Sequence, residues 1–377
     1  MFFCCDKLQS MAAYIKSPKA GETRALKGRG AVTNRDGRFE RLTHVAEDDG
    51  WTVSDDLPPL RTHVLPDAAR KVITRNTSPD IPFDRSLNPY RGCEHGCVYC
   101  FARPTHAYLG LSPGLDFETR LFAKFDAADC LRTELKARNY QCRTLQLGAN
   151  TDPYQPIERR YEITRDVLRV LAECDHPVSI TTKSDLVLRD LDILAPMAAK
   201  GLVCVALSVT TLDGTLARRL EPRAPTPDKR IAAIKGLAGA GIPVTVLAAP
   251  MIPALNDEEL EAIVTRAVQA GATAAGYTLL RLPGEVAGLF REWLETYCPD
   301  RADRVLNRLR ASRDGALYKS EWGTRQTGTG MEAELLAARF RRALKRAGIE
   351  RSRSAGRPLN RDLFHPPARD TAQMSLF

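Results

Sequence analysis

The sequence predicts an α/β protein: a parallel sheet with helices outside it, preceded by an irregular N-terminal arm and followed by a helical C-terminal extension. Three observations predict this. From about residue 85, short β-branched or apolar runs alternate with amphipathic stretches, and strand follows strand roughly every 25–40 residues, the length of one βα unit. Gly241 and Gly271 stand where the helices of such units stop. Beyond Pro283 the alternation ends and the pattern is helical.

Residues 1–60 are polar, with residues 7–40 rich in Arg and Lys and the turn-rich run KAGETRALKGRGAVTNRDGRFE, and read as an irregular basic arm draped over the body or partly disordered. Met11 offers a second start besides Met1. The body spans residues 85–285. Its first strand leads into Gly92, and further strands are expected at 144–147, 178–182, 202–209, 244–248 and 275–279. Helices are expected between them. The first, 157–174, repeats its apolar positions at Ile163, Val167, Val170 and Leu171. Those at 186–200, 228–240 and 257–270 follow, the last with Asn256 as its cap and acidic residues in its first turn. Six such units fit either an open doubly wound sheet or a partial barrel. No GxGxxG follows the first strand, so a dinucleotide site has no support. A basic extension, 286–350, carries helices at 285–297, 302–312 and 331–347, the last set apart by the glycine-rich link WGTRQTGTG at 322–330. Residues 351–377 form a flexible tail ending in QMSLF.

The chain of 377 residues is 44% hydrophobic and 27% charged, enough to bury a full core without disulfides. It lacks the roughly 18 consecutive apolar residues of a membrane span, and its start lacks a secretory apolar region. Ten cysteines without an export signal point to a reducing, cytoplasmic setting. Cys142 and Cys204 lie in apolar runs and read as small buried side chains. The net charge is +9, and residues 301–351 hold 13 Lys/Arg against 6 Asp/Glu. A basic extension on a nearly neutral body suits a polyanion such as nucleic acid, although a solvated helix face is the commoner meaning of such charge.

Three of the cysteines fall in one segment, NPYRGCEHGCVYCFARP, as Cys93-x3-Cys97-x2-Cys100. Three close thiolates bind a soft metal centre. Tetrahedral zinc needs a fourth ligand, for which His95 and His106 are the local choices, yet no second CxxC or HxxxH occurs. Three cysteines without a fourth suit a [4Fe–4S] cluster with one iron left open for chemistry. Downstream, Asn150, Thr151 and Asp152 end the second strand, Thr182, Lys183 and Ser184 the third, and Ser208 lies near the end of the fourth. All suit a polar mouth at strand C-termini. Asn150–Pro153 also reads as an Asx-type turn capping the next helix, and the two readings are compatible.

Cys-x3-Cys-x-aromatic-Cys after the first strand, followed by about five more βα units, resembles the radical S-adenosylmethionine superfamily. The runs TDPYQPIE, TTKS, LSVTT and LEPRAPTPDKR resemble its spore photoproduct lyase-like, DNA repair photolyase-like branch. The resemblance implies a partial (β/α)6 TIM-type barrel and two cofactors, a [4Fe–4S] cluster and S-adenosylmethionine. Cys93, Cys97 and Cys100 would hold three irons, and the methionyl group the fourth. Tyr99 would pack near the adenine, as would Pro250 and the run MIPALND. Lys183 and Ser208 would contact S-adenosylmethionine, with Asn150, Thr151 and Asp152 lining the same mouth. Arg223 is a choice for an anion clamp. A reducing electron donor would be needed for the one-electron cleavage that yields a 5′-deoxyadenosyl radical. The resemblance stops at one point: spore photoproduct lyases return hydrogen from a cysteine beside this turn, and Gly148-Ala149-Asn150-Thr151-Asp152 contains none. Cys142 stands upstream, at the N-terminal end of that strand.

The first functional expectation is a radical enzyme acting on nucleic acid, DNA ahead of RNA. The others keep the radical chemistry on tRNA, a peptide or a small molecule, or describe a zinc- or cluster-stabilised binding protein without turnover. The last five residues favour DNA, because Gln373, Met374, Leu376 and Phe377 resemble the Gln-x-x-Leu-Phe peptide with which bacterial repair proteins dock on the sliding clamp.

Overall fold

The computed structural model of the chain describes residues 26–40, 60–349 and 358–368. Ten strands occur in chain order: β1 His63–Pro66, β2 Thr74–Arg75, β3 Arg85–Leu87, β4 Tyr90–Arg91, β5 Arg120–Ala123, β6 Leu145–Leu147, β7 Val178–Thr182, β8 Val203–Ser208, β9 Val244–Met251 and β10 Ala274–Leu279. Seven of them form one sheet in the order β10-β9-β8-β7-β6-β3-β2, parallel throughout except for β2 on β3.

The six parallel strands lie in their order along the chain, with no reversal. That order excludes a doubly wound sheet, which requires a switch point. With right-handed crossovers, unbroken order puts every helix on one face and curls the sheet around the other. The result is a partial barrel. Leu145, Val178 and Val203 stand in register across β6, β7 and β8, as do Val205 and Val244 across β8 and β9. β3 and β6 are buried along their whole length, and the longer strands are buried at most positions, as expected for parallel strands covered on both sides.

The outer helices follow the apolar spacing of the sequence. Ile163, Val167, Val170 and Leu171 are all buried, as are Ile234 and Leu237 on the helix Pro227–Gly239 and Ile263, Val264 and Ala267 on Leu260–Gln269. Gly241 and Gly271 have φ of 76° and 104°, the left-handed backbone that ends a helix and that glycine adopts without steric cost. Two expected helices differ in detail. The stretch 157–174 is two helices, Glu158–Tyr161 and Ile163–Glu173, broken at Glu162, whose φ is +50°. Asn256 does not cap the helix after it. Its Oδ1 accepts from the Ile252 amide and its Nδ2 donates to the Thr210 and Pro250 carbonyls, tying the ends of β8 and β9 together.

The strand expected before Gly92 is also two. β3 joins the main sheet, and β4 turns away to pair with β5 in a second sheet of order β1-β5-β4. The three helices beyond Pro283 are Val286–Tyr297, Pro299–Ala311 and Gly330–Arg346. Phe340 of the last packs on Tyr277 of β10 at 4.9 Å, and the Leu279 amide donates to the Gln326 carbonyl, so the extension and its link cover the β10 edge. Among the described residues no helix is long and apolar enough to cross a membrane. The tail residues 373–377 lie outside the described residues.

Candidate active site

The cysteine loop begins where β4 ends. Gly92 and Gly96 both hold positive φ, and the Cys93 amide donates to the Phe117 carbonyl. Arg103, fully buried, binds the loop from below. Its Nε donates to the Cys97 carbonyl at 2.9 Å and its Nη2 to the Gly96 carbonyl at 3.2 Å. The same Nη2 lies 2.5 Å from Glu118 Oε1, and Glu118 also accepts from the Gly30 and Ala31 amides of the N-terminal arm. Gly30 approaches so closely that a Cβ there would stand 1.7 Å from the Gly96 carbonyl oxygen.

The run TDPYQPIE grips the loop from the other side. Gln155 accepts from the Glu94 amide and donates to the Gly92 carbonyl. Thr151 donates its hydroxyl to the Tyr90 carbonyl, and the Tyr90 hydroxyl donates to Glu158. Asp152 is engaged within the chain: it accepts from the Tyr154 and Lys183 amides and from the Thr182 hydroxyl, and Oδ2 lies 3.3 Å from His95 Nδ1 without hydrogen-bond alignment. Burial would raise its carboxyl, but His95, Thr182 and the Lys183 amide hold it down at about 2. Thr151 and Asp152 therefore position the loop and the end of β7. The Asx turn is also present, in the bond from the Tyr154 amide. Asn150 is held by its backbone amide on Asn88 and leaves its side chain without a partner among the described residues.

Tyr99, Lys183 and Ser208 are brought together from three parts of the chain. Lys183 Nζ donates to Ser208 Oγ at 3.3 Å and lies 5.9 Å from the centre of the Tyr99 ring. The Tyr99 hydroxyl donates to Glu221, which also accepts from Thr210 at 2.6 Å and pairs with Arg230. Burial would raise the Glu221 carboxyl, but Arg230 and Lys183 hold it down at about 2. Burial also works against the Lys183 ammonium, yet Glu221 and Cys97 hold its pKa above the ordinary lysine value. The group is a half-buried cation with a hydroxyl beside it and an aromatic face beneath it. Ser184 does not join it: its Oγ caps the next helix by accepting from the Leu186 amide. Arg223 pairs with Glu94 at 3.3 Å.

The residues fit an iron–sulfur centre. Cys93, Cys97 and Cys100 are free, the first two buried and the third half-buried. Burial pushes each thiol up, and Cys97 and Cys100 push Cys93 further, as sulfurs within electrostatic reach of one another do. Three soft donors on one loop are the protein's share of such a cluster. Among the described residues no group of three or more His, Cys, Asp or Glu side chains is already closed around an ion position, so the fit rests on the donor set and its loop. His106 serves the fold: Nε2 faces the Arg120 carbonyl at 2.9 Å and its ring packs on Phe117. Cys142 and Cys204 are half-buried rather than buried, Cys142 ahead of β6 and Cys204 within β8. At the other end of β6, a Cβ on Gly148 would stand 2.2 Å from the Thr181 carbonyl oxygen, so strand packing excludes a side chain there.

Sequence reasoning passed over Arg103, Glu118, Gln155, Glu221 and Arg230. The last two stand inside LEPRAPTPDKR and Gln155 inside TDPYQPIE, so the signal was present without a role attached. Nothing in the sequence marks Glu118.

The profile of the radical SAM superfamily matches residues 87–267, a radical SAM domain; members of that superfamily use a [4Fe–4S] cluster and S-adenosylmethionine. An uncharacterised protein of Mycobacterium tuberculosis is 41% identical over 226 residues, which cover 59% of this chain and 66% of that protein, just under two thirds of its length. An uncharacterised protein of Methanocaldococcus jannaschii is 31% identical over 174 residues, 46% of this chain and 62% of that one. Among solved structures, spore photoproduct lyase complexed with dinucleoside spore photoproduct superposes with a TM-score of 0.53 at 16% identity, covering 75% of this chain and 79% of that one. A spore photoproduct lyase mutant with bound AdoMet and the same dinucleoside gives 0.53 at 16%, covering 75% and 78%. At such identity the likeness is one of fold.

Proposed function

We propose that this protein is a radical S-adenosylmethionine enzyme acting on nucleic acid, DNA ahead of RNA. The observation that carries the proposal is the meeting of the three-cysteine loop with Tyr99, Lys183 and Ser208 at the C-terminal ends of parallel strands, where barrel folds place their chemistry. Cluster and S-adenosylmethionine together supply, when bound, one-electron cleavage of the sulfonium and a carbon radical that abstracts hydrogen. Cys93, Cys97 and Cys100 hold the cluster. Lys183 offers a fixed positive charge to the methionyl carboxylate, and Ser208 a hydroxyl beside it. Tyr99 gives an apolar face for the adenine, its own hydroxyl already engaged by Glu221. Asn150 leaves its side-chain amide for the cofactor, and Thr151 and Asp152 hold the loop and β7 around it. Arg103, Gln155 and the arm residue Gly30 pack the loop from behind.

Two features support nucleic acid. On the extension, Arg301, Arg304, Arg341, Arg342 and Lys345 are exposed and make no ion pair among the described residues, a set of cations suited to phosphates. The fold is shared with a lyase whose structure holds a dinucleoside. Eight described cysteines are free, in keeping with a reducing cytoplasmic setting. The clamp-docking role of residues 373–377 rests on their sequence; a pull-down with the cognate clamp, intact chain against a chain truncated after Ala372, tests it.

Anaerobic reconstitution with iron and sulfide tests the main proposal. A brown protein that releases 5′-deoxyadenosine with dithionite, faster with an oligonucleotide than with a peptide, is expected. A colourless protein holding one zinc would overturn the enzyme reading. Stimulation by peptide alone would overturn the substrate.

A further inference from the structure

We infer that Arg281 is a seat for a backbone phosphate of the substrate strand, placed at the rim of the site beside the cysteine loop; the inference rests on the nucleic-acid reading above. Arg281 follows the C-terminal end of β10, on the side of the sheet where the other site residues emerge. Its guanidinium carbon lies 4.7 Å from the centre of the Phe101 ring. Phe101 follows Cys100 directly, and Cys100 is the least buried of the three thiols. Phe101 is 45% exposed, so this edge of the loop is the one that opens outward.

What marks Arg281 is its lack of an anion. The two arginines near it are committed. Arg325 is paired with Asp80 at 2.6 Å and bonded to Ser78, and Arg313 donates to the Leu279 and Leu280 carbonyls. Arg281 makes no hydrogen bond or ion pair among the described residues; besides the Phe101 ring it feels only the electrostatic pull of groups such as Tyr318 and Asp80, and Asp80 is already paired with Arg325. A guanidinium withdrawn from water without a counter-ion is unfavourable, and burial accordingly lowers its pKa. An incoming phosphodiester removes that cost and matches the two-pronged donor set of arginine. Beside it, the exposed part of the Phe101 ring gives a nucleobase a surface to stack on. Lys183 is the cation proposed above for the methionyl carboxylate, which leaves Arg281 for the substrate.

The test uses the full, reconstituted chain and a fluorescein-labelled 20-nucleotide single strand. Anisotropy is read from 50 to 300 mM salt, and S-adenosylmethionine affinity is read separately by dialysis. Arg281→Gln is expected to bind the strand about fivefold to tenfold more weakly and to lower the slope of log affinity against log salt by about 0.7, the share of one phosphate on a single strand. Iron content and S-adenosylmethionine affinity stay unchanged, and Arg281→Lys recovers the slope. Wild-type binding with the same affinity and slope in Arg281→Gln overturns the inference and leaves the nucleic-acid reading standing. A wild-type chain that shows no salt-dependent binding overturns that reading itself, and the inference with it. A loss of S-adenosylmethionine affinity in Arg281→Gln assigns the anion to the cofactor and also overturns the inference. If Arg281→Gln loses its iron, Arg281→Lys decides: weakened strand binding at full charge and full iron content overturns a charge-based seat.

Discussion

Arg103 Nη2 lies 2.5 Å from Glu118 Oε1, and neither side chain reaches solvent. The pair joins the cysteine loop to the N-terminal arm, because Arg103 spans the Gly96 and Cys97 carbonyls while Glu118 holds the Gly30 and Ala31 amides. Removing one partner leaves the other charged and buried. Glu118→Ala should therefore cost about 3–5 kcal/mol of unfolding free energy, measured by urea denaturation, well above a surface substitution. A cost under about 1 kcal/mol would mean that the arm and loop are held by something else. Arg103→Lys should not restore the loop, since an ammonium lacks the planar fork that reaches several carbonyls at once.

The cluster assignment has a direct check. Replacing Cys93, Cys97 or Cys100 with Ala should abolish the iron chromophore after anaerobic reconstitution, whereas Ala at Cys130, Cys174 or Cys298 should leave iron content intact. Cys130 illustrates why: its Sγ faces the Ala69 carbonyl at 3.4 Å in a packing role. Iron retained by the triple Ala variant would remove the assignment.

Much of this site was legible because its chemistry is local in sequence. The cysteine spacing, the strand positions and the polar strand ends Lys183 and Ser208 lie in short runs whose period and residue type carry their meaning, whereas the order of the strands in the sheet does not. What was not legible depends on pairs far apart in the chain. Glu118 has no local signature, and its partners lie at Gly30, Ala31 and Arg103. The small sheet β1-β5-β4 escaped because its strands are only two to four residues long, too short for a period to show. Asn256 looked like a cap because its type and position suit one. The tertiary contact with the Thr210 and Pro250 carbonyls won instead, because it pairs acceptors at the ends of β8 and β9 that lie 46 and 6 residues away. The bonds of Asp152 to the Lys183 amide and the Thr182 hydroxyl were likewise hidden, because they join residues 30 and 31 positions apart.

Lys183→Ala and Ser208→Ala should keep the cluster and weaken S-adenosylmethionine. Each removes one polar group at the mouth, buried for Ser208 and half-buried for Lys183, worth about 1–3 kcal/mol if it meets the ligand, a loss of roughly fivefold to more than a hundredfold in affinity. Equilibrium dialysis on reconstituted protein measures it. Lys183→Ala carries a second effect, because it takes a cation from beside Glu221. The Glu221 carboxyl, held down at about 2 partly by that charge, should then titrate at higher pH. Unchanged affinity in both variants would move the cofactor away from these strand ends.

The last prediction concerns the opposite end of the barrel, where residues 358–368 strap across its N-terminal face. The Asn360 amide donates to the Gly201 carbonyl and the His365 amide to the Cys174 carbonyl, while Phe364 packs edge-on against His176 at 5.3 Å. His176 is fully buried between this strap and Tyr140. Its Nε2 lies 2.7 Å from the Tyr140 hydroxyl and its Nδ1 3.0 Å from the Pro177 carbonyl. A carbonyl only accepts, so Nδ1 carries the proton, and neutral Nε2 accepts from Tyr140. Burial lowers the His176 pKa from 6.5 to about 4. The folded value is below the unfolded one, so the unfolded chain binds the extra proton first as the pH drops. The contribution is complete above about 6.5 and is lost as the pH falls through about 4, in all about 3 kcal/mol. His176→Gln cannot titrate, so its stability should fall less steeply between pH 6.5 and 4 than that of the wild type, while carboxylates common to both contribute equally. Urea midpoints across that interval measure the difference. Parallel curves would show that His176 does not change protonation on unfolding, and would remove the buried neutral imidazole as a source of acid sensitivity.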